Sequence, residues 1–383
     1  MPDFEGPSGG NASGAKMAPL PAAPAVQLTP QQDRLSVLRI AANRYAERAL
    51  GFGSAPRPTL LKIKEQFDKV DTLNEQELLD LITLAKPHST AGTMAAGTIM
   101  TPLATKPPST ASIDLRRNHA LHLLLSNIQS HKNDPIEGKL LAMVADMGLT
   151  LQEVVWDARP DAGFKAASVY ASGTPKPTLT IFFGPVFLAL LGIIPYKQSL
   201  YKDMIPILYH EMYHLWEDHK ISSRPNLLGE ETKTVIGRLK GTPQEITDQD
   251  IADTAVAGAE TIESEIVSEL VEHTALLEMA RDIRSGIFMS DGFRTVNSPA
   301  DSEQEIEHLL NVIKIAFGDA QGYHLASQLL NRVSNEPWVG TNTLAMFRRK
   351  IAWVFSTQIL QPIPKGNLQI APPPLPKGGL RIP

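Results

Sequence analysis

A chain of 383 residues, 43% hydrophobic and 20% charged, carries enough apolar material to bury the core of one or two domains. Its formal net charge of -5 leaves no surplus of cations to neutralise phosphates, which excludes a nucleic-acid-binding class. The absence of cysteine excludes disulfides, thiolate metal sites and a cysteine nucleophile, and leaves His, Asp and Glu as the strong metal ligands.

The 30 prolines gather at the two ends and in one internal stretch, so a folded centre is expected between disordered segments. Residues 1–28 are rich in Gly, Ala, Pro and Ser and have no basic start followed by an apolar run, so no conventional signal peptide is expected. Thr29 and Pro30 read as an N-cap and a first-turn proline. Leu35, Leu38, Ala42, Tyr45 and Ala49 then share one helical face before Gly51. LLKIKEQFDKV and NEQELLDLITLA add two shorter helices, giving a helical N-terminal subdomain over 29–85. Residues 86–112 have small residues, threonines and prolines without an apolar period and read as a linker.

Beyond it, IDLRRNHALHLLLSNIQSH and GKLLAMVADMG are helical in pattern, and LTLQEVVWDA fits strand or helix. KAASVYAS and PTLTIFFG, joined by Gly-Thr-Pro-Lys, predict an antiparallel hairpin. Residues 177–196 contain no charge and are long enough to raise the question of a membrane span. Gly184, Pro185 and Gly192 interrupt them, so a buried strand followed by a short apolar helix is the expectation. Further helices are expected over Asp203–His219, Asp250–Ser285, Ser302–Phe317, Tyr323–Val333 and Asn342–Gln358, before a proline-rich, disordered tail over 361–383.

Within ILYHEMYHLWEDH, His210 and His214 stand four residues apart around Glu211. On a helix that spacing stacks both imidazoles on one face, where they reach a single ion, while Glu211 projects to the side where a general base is needed. The pattern points to one Zn2+ and to hydrolysis. Trp216 and Leu215 are expected in the core of this helix, and Tyr213 is not assigned a catalytic role.

A catalytic zinc takes a third protein ligand. The metzincin pattern fails, because Glu217 and Lys220 stand where it requires glycine and histidine. His219 is one position short and points away on a continuing helix. Downstream, ETIESEIVSELVEH resembles the glutamate helix of the gluzincins, the thermolysin-like metallopeptidases. The resemblance implies that Glu265 is the third ligand and that Glu269, one turn later, orients a ligand histidine. It departs from the family in having Glu rather than Asp at that second position, and in a longer separation between His214 and Glu265. Glu269, Glu230 and Glu231 stay open as alternative ligands, and Asp248, Asp250 and Asp253 if the chain instead resembles the aspartate-liganded zincins. Glu260 and Glu263 are expected at the surface.

GDAQGYHLASQLL is similar, at Asp319, Gly322, His324 and Ser327, to the surroundings of the thermolysin-like histidine that stabilises the tetrahedral intermediate. This implies Tyr323 or His324 as donor to an oxyanion. The competing structural reading is a helix-start tyrosine and a surface histidine. His119, His122, His131 and His273 are assigned to packing, capping or solvent.

Together these residues predict an α+β, predominantly helical, zincin-like peptidase domain over 113–360, with a small antiparallel sheet and an HExxH helix. A protein or peptide substrate would extend along the sheet edge. Two other classes stay open: a non-catalytic interaction protein built on such a domain, and a membrane-associated metallopeptidase, although membrane attachment is not expected. Disordered ends without a signal peptide suit a bacterial effector or toxin exported by a dedicated secretion system, and equally a cytoplasmic peptidase.

Overall fold

A stripe of small residues sets the centre of the molecule, which the computed structural model describes over residues 28–52, 55–89, 104–160 except 109, 167–172, 177–183, 188, 204–220, 225–284 and 298–355. Helix α1 (Pro30–Phe52) buries Leu38, Ala41, Ala42, Ala46 and Ala49. Short α2 (Arg57–Phe67) and α3 (Glu75–Ala85) pack against it. The start of α3 is fixed by a capping box, in which Asn74 and Glu77 satisfy each other's backbone N–H groups. Helices α4 (Ile113–Ser130) and α5 (Pro135–Asp146) follow, then strands β1 (Val155–Pro160), β2 (Ala167–Ser172) and β3 (Thr178–Phe183). The rest is helical: α6 (Ile205–Lys220), α7 (Leu227–Leu239), α8 (Gln249–Arg284), α9 (Pro299–Val333) and α10 (Thr341–Val354).

The long α8 is the axis. It packs against α1, α6, α7, α9 and α10, and the buried residues of the N-terminal helices and of the HExxH helix belong to one continuous apolar cluster. Ile40 and Arg44 on α1 meet Gly258 on α8, where an added Cβ would lie 2.9 Å from Ile40 Cγ2, 3.3 Å from its carbonyl oxygen and 3.3 Å from Arg44 Cβ. Glycine there is therefore a packing requirement: a larger residue would push the two helices apart, at a cost of about 1–3 kcal/mol. Buried Asp33 on α1 locks the arrangement by accepting two bonds of 3.1 Å from Arg238 of α7.

Helix α9 is broken at Gly318, whose φ of 76° and ψ of 168° are not helical. Near its start Ser302 bonds Glu269, and near its end Arg332 pairs with Glu263. A straight helix would hold those two ends about 45 Å apart, whereas their partners on α8 are about 9 Å apart along its axis. The two arms of α9 therefore fold back on each other and both reach α8. The expected boundary between Phe317 and Tyr323 is real, but it is a one-residue break and Tyr323 lies inside the second arm.

The fold class needs correction. Helices dominate, and the sheet is not an antiparallel one: its order is β1-β3-β2, with β1 parallel to β3 in the register Val155↔Thr178 to Pro160↔Phe183. The expected hairpin is present as the antiparallel pair β2–β3, Ala167↔Phe183 to Ser172↔Thr178. The ambiguous LTLQEVVWDA segment supplies β1, which joins the far side of β3 running the other way from β2. An α+β class with a small antiparallel sheet is thus replaced by a mainly helical molecule carrying a three-stranded mixed sheet, with edge strand β2 beside α6.

No helix among the described residues is long and apolar enough to cross a membrane. The expected disordered ends, most of the linker and most of the apolar run after β3 lie outside the described residues.

Candidate metal centre

Helix α6 buries Leu208, Tyr209, Met212, Leu215 and Trp216, which sets its rotation and turns His210 and His214 toward α8. The roll is pinned at Trp216, as expected a core residue: its indole N–H donates to Asp146 of α5 at 2.7 Å and its ring meets Trp338 edge-on at 5.9 Å. The two imidazoles face each other, with Nε2 to Nε2 at 3.3 Å. Glu265 on α8 brings Oε2 to 3.4 Å from His210 Nε2 and 3.8 Å from His214 Nε2. These three side chains form a group able to hold a metal ion.

The spacing fits zinc. Two nitrogens each about 2.0–2.1 Å from one ion at a tetrahedral angle stand about 3.3 Å apart, matching the distance between the rings. The donor set of two imidazoles and one carboxylate is also the composition of catalytic zinc sites that keep a fourth position for water.

Around this triad α8 supplies a second layer. Glu272 Oε2 lies 3.1 Å from His210 Nδ1, whereas Glu269 Oε1, the expected orienting group, is farther at 3.7 Å. Glu269 instead accepts a bond from Ser302 at 2.9 Å. His214 Nδ1 is 3.0 Å from Ser264 Oγ, and Ser264 donates in turn to Glu217. Ser268 Oγ sits 3.1 Å from His210 Nε2. On the nitrogen that does not face Glu265, His214 thus has a hydrogen-bond partner in Ser264, whereas His210 has the Glu272 carboxylate at 3.1 Å without hydrogen-bond geometry; oxygen partners at these positions are what fix ring orientation in metal sites.

The electrostatics follow from burial among carboxylates. Burial opposes charge on His210, but Glu265, Glu272 and Glu211 outweigh it and raise its pKa well above the usual histidine value. Burial likewise disfavours a charged Glu265, yet contacts from His210 and His214 hold its carboxyl far below the ordinary range. Glu269 is pushed up to about 7 by burial and by the neighbouring Glu272. The carboxylates around His210 thus favour its charged form against burial.

Glu211 is half-buried on α6 between the two histidines in sequence. The other expected residues fall elsewhere. The Tyr323 hydroxyl is buried without a hydrogen-bond partner, its ring packed edge-on against Phe355 at 6.1 Å, and His324 is half-buried on the same helix. Among the described residues, neither lines the two cavities that border the triad. The alternative ligands Glu230 and Glu231 are bound up on α7 with Lys233 and Arg238, and Asp248 and Asp250 pair with Lys86. Asp253 accepts from Gln249. Glu263, expected at the surface, is 3% exposed, because it pairs with Arg332 and accepts the Leu228 backbone N–H at 2.9 Å.

Glu272, Ser264, Ser268 and Glu217 were not anticipated. Glu272 was within reach of spacing arguments, since positions 265, 268, 269 and 272 lie on one face of a helix. Two cavities flank the triad: one of about 570 Å³ reached by Glu265 and Glu269, and one of about 760 Å³ reached by Glu217 and Ser264. No family model, curated protein or solved structure matches this chain.

Proposed function

We propose that this chain is a zinc-dependent peptidase, with His210, His214 and Glu265 as ligands and Glu211 as general base. The observation that carries the reading is the convergence of two imidazole Nε2 atoms, 3.3 Å apart, with a carboxylate oxygen from a different helix. A bound zinc would supply a Lewis acid that brings the pKa of water near 7 and polarises a carbonyl.

The chain's own residues have three tasks. Glu211 takes a proton from the attacking water and delivers it to the departing amine nitrogen, as a carboxylate one residue from a ligand histidine is placed to do. Glu272 and the Ser264–Glu217 pair hold the two rings in orientation. Strand β2, at the edge of the sheet among the described residues and beside α6, offers an edge along which an extended peptide can lie.

The test is Glu211→Gln in the purified full chain. Zinc content should stay at one ion per chain while hydrolysis of a mixed peptide pool falls about 10²–10⁴-fold, the share general-base catalysis contributes. Full activity in this variant, or a wild-type chain that takes up no zinc, would overturn the reading.

A further inference from the structure

The cavity of about 570 Å³ beside Glu265 is walled by α1, α8 and α9, with Phe67, Asp68, Val70 and Asp71 at one side. Its two ends differ. Ser36 bonds the Ala316 carbonyl, and Glu47 lies within charge range of Glu305 and His308, so α1 and the first arm of α9 run antiparallel along it. Ile40 and Val312 therefore line one end together with Gly258, while Glu47 and Glu305 line the other, beside Glu265 and Glu269.

The acidic end is short of cations. Six carboxylates reach the cavity, against one guanidinium and one imidazole. Asp68 is matched by Lys64 at 3.0 Å, and Asp71 faces the charge of Arg39. Glu265 belongs to the triad and Glu269 is held by Ser302. Glu47 has Arg44 at 3.9 Å and His308 within charge range, and no ion pair to Glu305 is present among the described residues. The buried Oδ1 of Asn43, in the same wall, is an acceptor without a hydrogen-bond partner. Partial burial raises the pKa of Glu47, whose side chain is 49% exposed, with Glu265 and Glu305 adding to the rise and Arg44 and His308 opposing it.

We infer that this cavity binds a cationic group of a peptide between Glu47 and Glu305, next to the His210–His214–Glu265 triad, with hydrocarbon of the same residue against Ile262 and Leu309. A bare metal ion would satisfy the carboxylates and leave the apolar end unfilled. A lysine or arginine side chain, or an N-terminal residue with its free amine, presents charge and hydrocarbon together, and long cationic side chains bury their stems in this way. The word substrate rests on the peptidase reading, but the binding itself does not.

The experiment measures binding of three small probes to the full, zinc-loaded chain by titration calorimetry. Nα-acetyl-arginine amide carries only a side-chain cation, leucine amide only an α-amine, and Nα-acetyl-leucine amide neither. At least one cationic probe should bind tenfold or more tightly than the neutral one, and which of them does so identifies the source of the charge. The preference should vanish in Glu47→Gln/Glu305→Gln, whose zinc content and thermal midpoint should match the wild type. Equal binding of all three probes, or a preference unchanged in the double variant, would overturn the inference. Selective binding in a chain that cleaves no peptide would sink the peptidase reading alone, and cleavage indifferent to cationic residues would sink this one alone.

Discussion

Two buried histidines, His210 and His273, lie close in the molecule and live in opposite surroundings. His210 is 8% exposed and has Glu265, Glu269 and Glu272 within 3.7 Å or less, plus the ring of His214. His273, 1% exposed, has Thr343 Oγ1 at 3.1 Å and a single carboxylate, Glu303, at 3.5 Å, with Lys350 in the same neighbourhood. Burial dominates at His273 and lowers its pKa, whereas at His210 carboxylates overcome burial and raise it. The lesson is that burial alone does not decide a histidine's charge; convergence of carboxylates on the ring does.

The largest effect that could break this contrast is loss of a ligand ring. His210→Ala and His214→Ala should each abolish stoichiometric zinc by elemental analysis, while His273→Gln keeps it. Retention of zinc in either of the first two variants would dissolve the distinction. Next in size, Glu272→Gln should weaken zinc about 10–100-fold in competition with a chromogenic chelator, as loss of an orienting partner does. If Glu269→Gln proves the more damaging of the two, the orienting role goes back to Glu269. Ser264→Ala should weaken zinc about tenfold through His214, and Ser264→Thr, which keeps the hydroxyl, should restore it.

The smallest effect concerns pH. Because the folded pKa of His273 lies below its unfolded value of about 6.5, its neutral form is fully accommodated above that value. As pH falls below about 6.5 the unfolded chain takes up the proton first, so stability declines. His210 in the metal-free chain has the opposite sign: its raised pKa adds stability at low pH that is lost as pH rises through the folded value. Urea midpoints of the metal-free chain between pH 7 and 5 should fall less in His273→Gln than in the wild type. An identical slope in the two would show that His273 does not carry this dependence.

The triad was legible because its parts are local: a four-residue spacing on α6, and a glutamate on a helix long enough to run past it. What surrounds it depends on how helices are rotated against each other. Ser264 and Glu217 lie 47 residues apart in sequence, and no periodicity says that they meet. The mixed sheet was hidden for a similar reason. The turn chemistry between β2 and β3 announces a hairpin, but β1 has no turn in common with β3, and only the packed structure shows which edge it takes.

The contact of Gly258 with Ile40 bears on how the chain can be divided. One wall of the acidic cavity comes from residues near position 40, and the facing wall, with the proposed zinc ligand Glu265, from more than two hundred positions later. A fragment trimmed to the part bearing the HExxH motif would keep the atoms proposed to grip an ion, but would lay bare the flank of α8 and have half of the proposed binding slot.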